Sequence, residues 1–335
     1  MPETIDWPPT HPRTHPPRRR RRFLLILVVL ASIIFGGRSA LSNYVDLLWF
    51  GSLGYVDVFW KTRSLQWGIF AAFAAATFLI LYGSFLALKR VHLADLPSGH
   101  TILIGGQPVK LPVERVLRLI ALGVSLAIAL ATGAGMMAEW PALALFWYAP
   151  RPTGGVVDPI FGKPLNFFLF TLPAWQLIAG WLLTLAVITC VLAVFFILVT
   201  GGTGVLVGRR SYVTLPWRGF SITFAFLLVI LAMLAYVGRF ERLFEDHTIF
   251  GGVTYTDAHV TLTGMLVVCA ALVLGAVIAA VNAARVPRGR WLVAAMLPAA
   301  VCYLALHVVA WYVSSFLSNR TSWFVSNRTS PTTST

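Results

Sequence analysis

The sequence predicts an all-α integral membrane protein, a bundle of about seven transmembrane helices with a cytoplasmic N-terminus and an extracytoplasmic C-terminus. Three observations predict it. Of the 335 residues 58% are hydrophobic and only 11% charged, and the mean hydropathy is +0.79, a balance that a water-soluble domain does not reach. The apolar residues fall in repeated runs of about 20, the length that crosses a bilayer as helix. The basic residues sit in short blocks between those runs, which is the positive-inside pattern and not the stripe of a nucleic-acid-binding face, despite a formal charge of +14.

Residues 1–22 are rich in proline, histidine and arginine and end in the run Arg18 to Arg22. They show no apolar periodicity and read as a disordered basic cytoplasmic tail, whose arginines fix orientation; the alternative is that they attract anionic lipid. The first apolar run, 23–41, has the basic front of a signal peptide. Its length and the lack of a small-x-small site favour an uncleaved span. Residues 44–60, YVDLLWFGSLGYVDVFW, mix Trp, Tyr and Phe with Asp46 and Asp57 and suit a segment lying in the interface.

The second span, 65–88, is alanine-rich, which permits close helix approach. A polar interval follows, in which 102–111 resembles a small β-hairpin around Gly105 and Gly106. The third span, 117–138, ends at Glu139-Trp140-Pro141. Residues 158–173, DPIFGKPLNFFLFTLP, combine an Asp-Pro turn, a Phe-Gly break and an aromatic cluster, and are expected to cap the bundle at one water interface. The fourth span is 174–199. Gly201, Gly202 and Gly204 lack the strand and the Gly-Lys-Ser/Thr of a phosphate loop and read as a flexible turn. Spans five to seven follow at 220–238, 260–281 and 291–313, with the polar interval 239–259 after the fifth and a basic loop (Arg285, Arg288, Arg290) before the seventh. Residues 317–335 are of low complexity and repeat SNRTS.

Orientation follows from counting charges. An N-terminus inside puts seventeen of the 26 lysines and arginines on the cytoplasmic side, and eight of the 12 acidic residues opposite. Cys190, Cys269 and Cys302 all lie in apolar runs and form no Cys-x-x-Cys pair, so neither a disulfide framework nor a cysteine metal site is indicated.

Few residues carry recognisable chemistry. Glu245 and His247, and Asp257 and His259, are each two apart. In an extended segment each pair would share a face and offer a carboxylate-imidazole set for a metal or a proton relay, although no third ligand is evident; the alternative is a solvated loop. His307 lies within the seventh span, where an ionisable group is a functional candidate, yet no mid-span carboxylate, lysine or arginine accompanies it. Glu139 and Arg239 end spans three and five on one side and would pair there or snorkel separately. Hydrolase, zinc-protease and P-loop motifs are missing from the sequence.

Three aromatic stretches carry a family resemblance: LWFGSLGYVDVFW (48–60, with Trp49, Phe50, Gly54 and Tyr55), DPIFGKPLNFFLFTLP (with Asp158, Pro159, Phe161, Gly162 and Pro173) and YTDAHV (255–260, opening on Tyr255). In this order they resemble the signature stretches of uncharacterised protein family 0182. The resemblance runs from Phe23 to about Phe316. It implies a large bacterial multi-pass membrane protein, with an N-terminal bundle followed by a long extracytoplasmic region, and it brings no established activity. Pro164 stands where the family commonly has an acidic residue, and Phe168 where a tyrosine is common. Beyond Phe316 the likeness stops. A synonymous back-translation of residues 319–335 read two bases further on gives PNELVREQPYIAYNI, similar to the segment the family would have there. The tail is therefore expected to stem from a frameshift that removed an outer domain.

The expected role is non-enzymatic: a membrane anchor or assembly platform in the bacterial cytoplasmic membrane, for extracytoplasmic partners or an outer domain. No cofactor and no nucleic acid is expected, the bilayer is the one certain partner, and the oligomeric state is open. A transporter or channel component is the alternative, and an extracytoplasmic metal-dependent enzyme built on Glu245, His247, Asp257 and His259 a third.

Overall fold

The computed structural model describes residues 18–93, 101–104, 107–110, 113–150, 156–206, 217–245, 252–254, 256–285 and 287–318. The chain divides into two units, Met1–Ser64 and Leu65–Thr335.

In the first unit, α1 (Arg18–Ser52) runs without interruption through residues 23–41 and on into the first aromatic motif. A sharp turn then leads into α2 (Val56–Leu93). The Tyr55 N–H reaches back to the Phe50 carbonyl (2.9 Å) and the Gly54 N–H to that of Gly51 (3.2 Å). This is the Schellman pattern of a helix end, and it requires a left-handed residue at its centre. Gly54, with φ +78°, supplies it. Asp57 in the first turn of α2 favours the positive end of that helix. Thus 44–60 is the end of α1, a tight turn and the start of α2, and Gly54 is where the helix breaks.

The second unit contains the rest of α2 and a hairpin of β1 (Thr101–Ile104) and β2 (Gln107–Lys110), antiparallel, with Thr101 opposite Lys110 and Ile104 opposite Gln107. The expected hairpin is therefore present. Next come α3 (Val113–Ala138), α4 (Trp140–Tyr148), α5 (Leu172–Leu206), α6 (Trp217–Glu241), α7 (Leu262–Ala284) and α8 (Gly289–Tyr312). Single π-helical turns precede α5 (Phe167–Thr171) and α7 (Asp257–Thr261), and another follows α8 (Val313–Ser318).

Among the described residues, six helical stretches are long and apolar enough to cross a membrane: Val56–Arg90, Val116–Ala138, Phe167–Val199, Trp217–Phe244, Asp257–Ala284 and Gly289–Phe316. They coincide with the second to seventh expected spans. Their outward faces are as apolar as their inward ones. On α8, for example, Val293, Leu297, Leu304 and Val308 all point out, while Leu292, Ala295 and Ala299 are buried. A protein folded in water would not leave such a surface, whereas a bilayer solvates it.

Small residues bring the helices together. Ala174, Ala179, Ala186 and Ala193 line the inward face of α5 with no exposed surface. A Cβ on Gly275 of α7 would stand 2.3 Å from the Ala295 carbonyl oxygen of α8, and one on Gly133 of α3 would stand 2.9 Å from the Ala74 Cβ of α2. Close backbone approach of this kind is how membrane helices gain dispersion energy when the lipid offers no hydrophobic advantage.

Two expectations are corrected. Gly201, Gly202 and Gly204 lie inside the last turns of α5, which continues to Leu206; in an otherwise apolar helix the cost of about 1 kcal/mol per glycine is too small to end it. The interval after the fifth span is shorter than read, since α6 reaches Glu241 and a 3₁₀ turn extends to Phe244. The short apolar helix α4 follows α3 directly, and Pro141 in its first turn is a helix-start signal.

Candidate functional site

The most structured surface of the second unit is the bundle end where α3 and α6 finish and α5 and α7 begin. It is built outward from residues 156–166. Val157 and Pro164 form an antiparallel bridge, and the Asp158 N–H donates to the Lys163 carbonyl (2.9 Å) while the Gly162 N–H donates to that of Asp158 (2.9 Å). Gly162 takes φ +63°. The Asp158 carboxylate accepts from the backbone N–H groups of Ile160 (3.1 Å) and Phe161 (2.6 Å). An aspartate before proline favours such a local turn, and here it fixes the tip of the loop.

That turn delivers Phe161 onto the end of α6. Its ring centre lies 4.7 Å from that of Phe240, and Phe167 approaches Phe240 at 5.1 Å from the other side. Phe168, in the π turn, is buried against Phe240 and, at 5.8 Å, Phe244. The Arg239 guanidinium lies over Phe161 (5.4 Å) and Tyr236 (5.7 Å), and its Nε donates to the Leu262 carbonyl at the start of α7 (3.0 Å). One arginine therefore joins α6, α7 and the turn. Of the two readings for Glu139 and Arg239, pairing or separate placement, the arginine's contacts here are with α7 and the aromatic rings.

Glu139 instead stands on the wall of a cavity of about 570 Å³ between α3, α4 and α5, with Thr132, Gln176, Trp181 and Thr184. The Gln176 amide donates to the Glu241 carboxylate. At the cavity's inner edge the Trp181 indole N–H donates to the Thr77 hydroxyl oxygen (2.9 Å), which lies 3.2 Å from the Thr132 hydroxyl. Thr77 and Trp181 carry no signal of their own in the sequence.

Of the two carboxylate-imidazole readings, the structure describes both residues only for Asp257 and His259. Asp257 and His259 lie in a π-helical turn and not in an extended segment, so side chains two apart diverge. Asp257 instead accepts from the Thr254 hydroxyl (2.6 Å), and its own N–H donates back to that hydroxyl oxygen (3.1 Å), a reciprocal helix-start arrangement. Glu245 accepts from Arg242 (2.6 Å), and His247 and Tyr255 lie outside the described residues. His307 is on the outward face of α8, its Nδ1 3.0 Å from the Tyr303 carbonyl of its own helix. Among the described residues no three His, Cys, Asp or Glu side chains gather closely enough to hold a metal.

Comparison with known proteins gives this geometry a lineage. The sequence profile of the Uncharacterised protein family (UPF0182) matches residues 23–321. The chain belongs to that family. UPF0182 proteins of Mycobacterium bovis (strain BCG / Pasteur 1173P2) and Mycobacterium avium (strain 104) are each 30% identical to it, over 253 and 257 residues; one of Mycobacterium ulcerans (strain Agy99) is 28% identical over 258. These alignments cover 74%, 73% and 74% of this chain and 25% of each relative, so the chain spans about a quarter of their length. No solved structure matches it. Within UPF0182 terms, Phe50, Gly54 and Tyr55 form the Schellman turn between α1 and α2. Asp158, Phe161 and Gly162 form the aromatic turn on α6, and Pro173 lies two residues past the π-helical turn Phe167–Thr171, an irregular turn of the kind found where the helical hydrogen-bond ladder is interrupted.

Proposed function

We propose that this UPF0182 chain is a non-enzymatic membrane anchor and assembly platform, seated in the cytoplasmic membrane with its N-terminus inside. In this reading α1 supplies a seventh span, and the Phe240 end of the bundle faces outward to receive extracytoplasmic protein. The charge distribution supports the orientation. The observation that carries the role is the turn at residues 156–166, held by the Asp158 carboxylate and seated on Phe240 through Phe161. It is a preformed surface and not a trailing loop, and Ile160 and Leu165 stand exposed on it. Preorganised surfaces of this kind lower the ordering cost of binding.

The test is photocrosslinking in intact cells from residue 160 or 165, with residue 293 on the lipid face of α8 as control. Reproducible adducts with one extracytoplasmic protein from the first two positions alone support the platform. Adducts that are identical from all three positions overturn it.

The cavity beside Glu139 favours the transporter alternative, because it admits water-sized groups beside polar side chains. Against it, the buried Thr189 bonds to its own helix, and the buried Ser221 and Asn282 bond to each other. Solute flux in proteoliposomes that is lost in Glu139→Gln would favour transport.

A further inference from the structure

At the opposite end of the bundle, the turn between α7 and α8 encloses a cavity of about 340 Å³ with two distinct walls. One wall is apolar and runs down the lipid-facing side of α7 through Val277 and Val281, closed by the Trp291 ring of α8. The other is basic, formed by Arg285 and Arg288 at the mouth. Neither arginine pairs with a carboxylate among the described residues, and both side chains are exposed.

Asn282 ties the start of α8 to α7 and α6. The buried Asn282 amide donates to the Ser221 hydroxyl of α6 (3.0 Å) and to the Arg288 carbonyl (3.3 Å), while its oxygen accepts from the Arg288 N–H (3.0 Å). Asn282 is thereby satisfied within the protein, and the two guanidiniums are held beside the cavity mouth without being consumed by it. Gly289, where a Cβ would stand 3.1 Å from the Trp217 ring, brings the start of α8 tightly against α6.

We infer that this cavity binds the phosphate of an anionic glycerophospholipid. Guanidinium forks match phosphate oxygens in paired hydrogen bonds. The Val277–Val281 wall takes the glycerol and the first acyl carbons, and Trp291 suits the headgroup level of a bilayer. Basic pockets between membrane helices recognise lipid phosphates in this way. A soluble phosphate would use the arginines alone and leave the apolar wall without a role, so the occupant is lipid. Arg290, on the same turn but not lining the cavity, provides an internal control.

The test uses the full chain purified in detergent, with retained lipid counted by native mass spectrometry and melting followed on titration. The probes are phosphatidylglycerol, phosphatidylcholine and inorganic phosphate. Phosphatidylglycerol is expected to bind and raise the melting temperature, phosphatidylcholine to do so less, and phosphate not at all. Arg285→Gln with Arg288→Gln should weaken phosphatidylglycerol binding by at least about tenfold, and Arg290→Gln should leave it unchanged. Val281→Trp, which fills the apolar wall and keeps every charge, should also abolish binding and stands in if the arginine variant does not fold. Equal losses in Arg290→Gln, full binding in Val281→Trp, or protection by inorganic phosphate alone would each overturn the assignment.

Discussion

The Trp181 indole N–H donates to the Thr77 hydroxyl oxygen at 2.9 Å and so joins α5 to α2 across 104 residues of sequence. Thr77 has no exposed surface, and the hydroxyl of Thr132 in α3 stands 3.2 Å away. Three helices thus meet at one polar point in an apolar interior. Trp181→Phe or Thr77→Val should each destabilise the bundle by about 0.5–2 kcal/mol, the range for hydrogen bonds between membrane helices. The double variant should cost less than the two single changes together. Thermal unfolding in detergent checks this; additive losses would mean the two groups are not coupled.

The α7–α8 contact is predicted to be intolerant of a single methyl group at Gly275. The Ala295 carbonyl that faces it is backbone and cannot rotate away, so Gly275→Ala should cost about 1–3 kcal/mol by overpacking. Gly180→Ala, at a position with open space around the added carbon, should be neutral or slightly stabilising through its helix propensity. Melting temperatures of the two variants, compared side by side, decide this.

Asp158→Ala should loosen the aromatic turn, because two backbone N–H groups lose their acceptor, at about 1 kcal/mol. Asp158→Asn keeps a side-chain oxygen and should retain most of the order. Hydrogen exchange at the amides of 160–162 should accelerate in the alanine variant and much less in the asparagine one.

The two aromatic motifs should respond differently to truncation. Phe161 packs against Phe240 and under Arg239, so Phe161→Ala should cost about 1–3 kcal/mol. Trp49 is 59% exposed, and Trp49→Ala should stay within about 0.5 kcal/mol. Detergent melting curves distinguish the two, and equal losses would contradict the contrast.

Topology is checked with single cysteines in a background in which Cys190, Cys269 and Cys302 are replaced by alanine. A cysteine at Val157 should react with a membrane-impermeant thiol reagent in intact cells. One at Ala284 should react only after lysis. The reverse pattern would invert the proposed orientation.

Much of this fold was legible because a bilayer imposes simple rules on sequence. The second to seventh spans follow from apolar run length, and the hairpin at 101–110 from its paired glycines. The helix ends were less legible, since α1 and α5 run on through polar or glycine-containing residues that a strong apolar neighbour sustains. The site was legible in part. Asp158 and Phe161 stood out by composition, and Gly54 by its place in the family motif. Thr77, Trp181 and Gly275 did not, because their roles depend on which residue of a distant helix lies opposite, and a single sequence does not carry that registration. The Asp257–His259 reading failed for a local reason: helical geometry at 257–261 separates residues that an extended chain would align.

The Asn282 latch carries a timetable. The ribosome delivers Ser221 first, and Asn282 follows 61 residues later, about 3–12 s at synthesis rates of about 5–20 residues per second. An amide entering hydrocarbon needs a partner waiting for it, and the α6 hydroxyl is already there. The Arg288 backbone, six residues further on, emerges within about another second and takes up the remaining amide capacity. Emergence of the turn into α8, and not the insertion of α7, is therefore the event that fastens this end of the molecule during its biosynthesis.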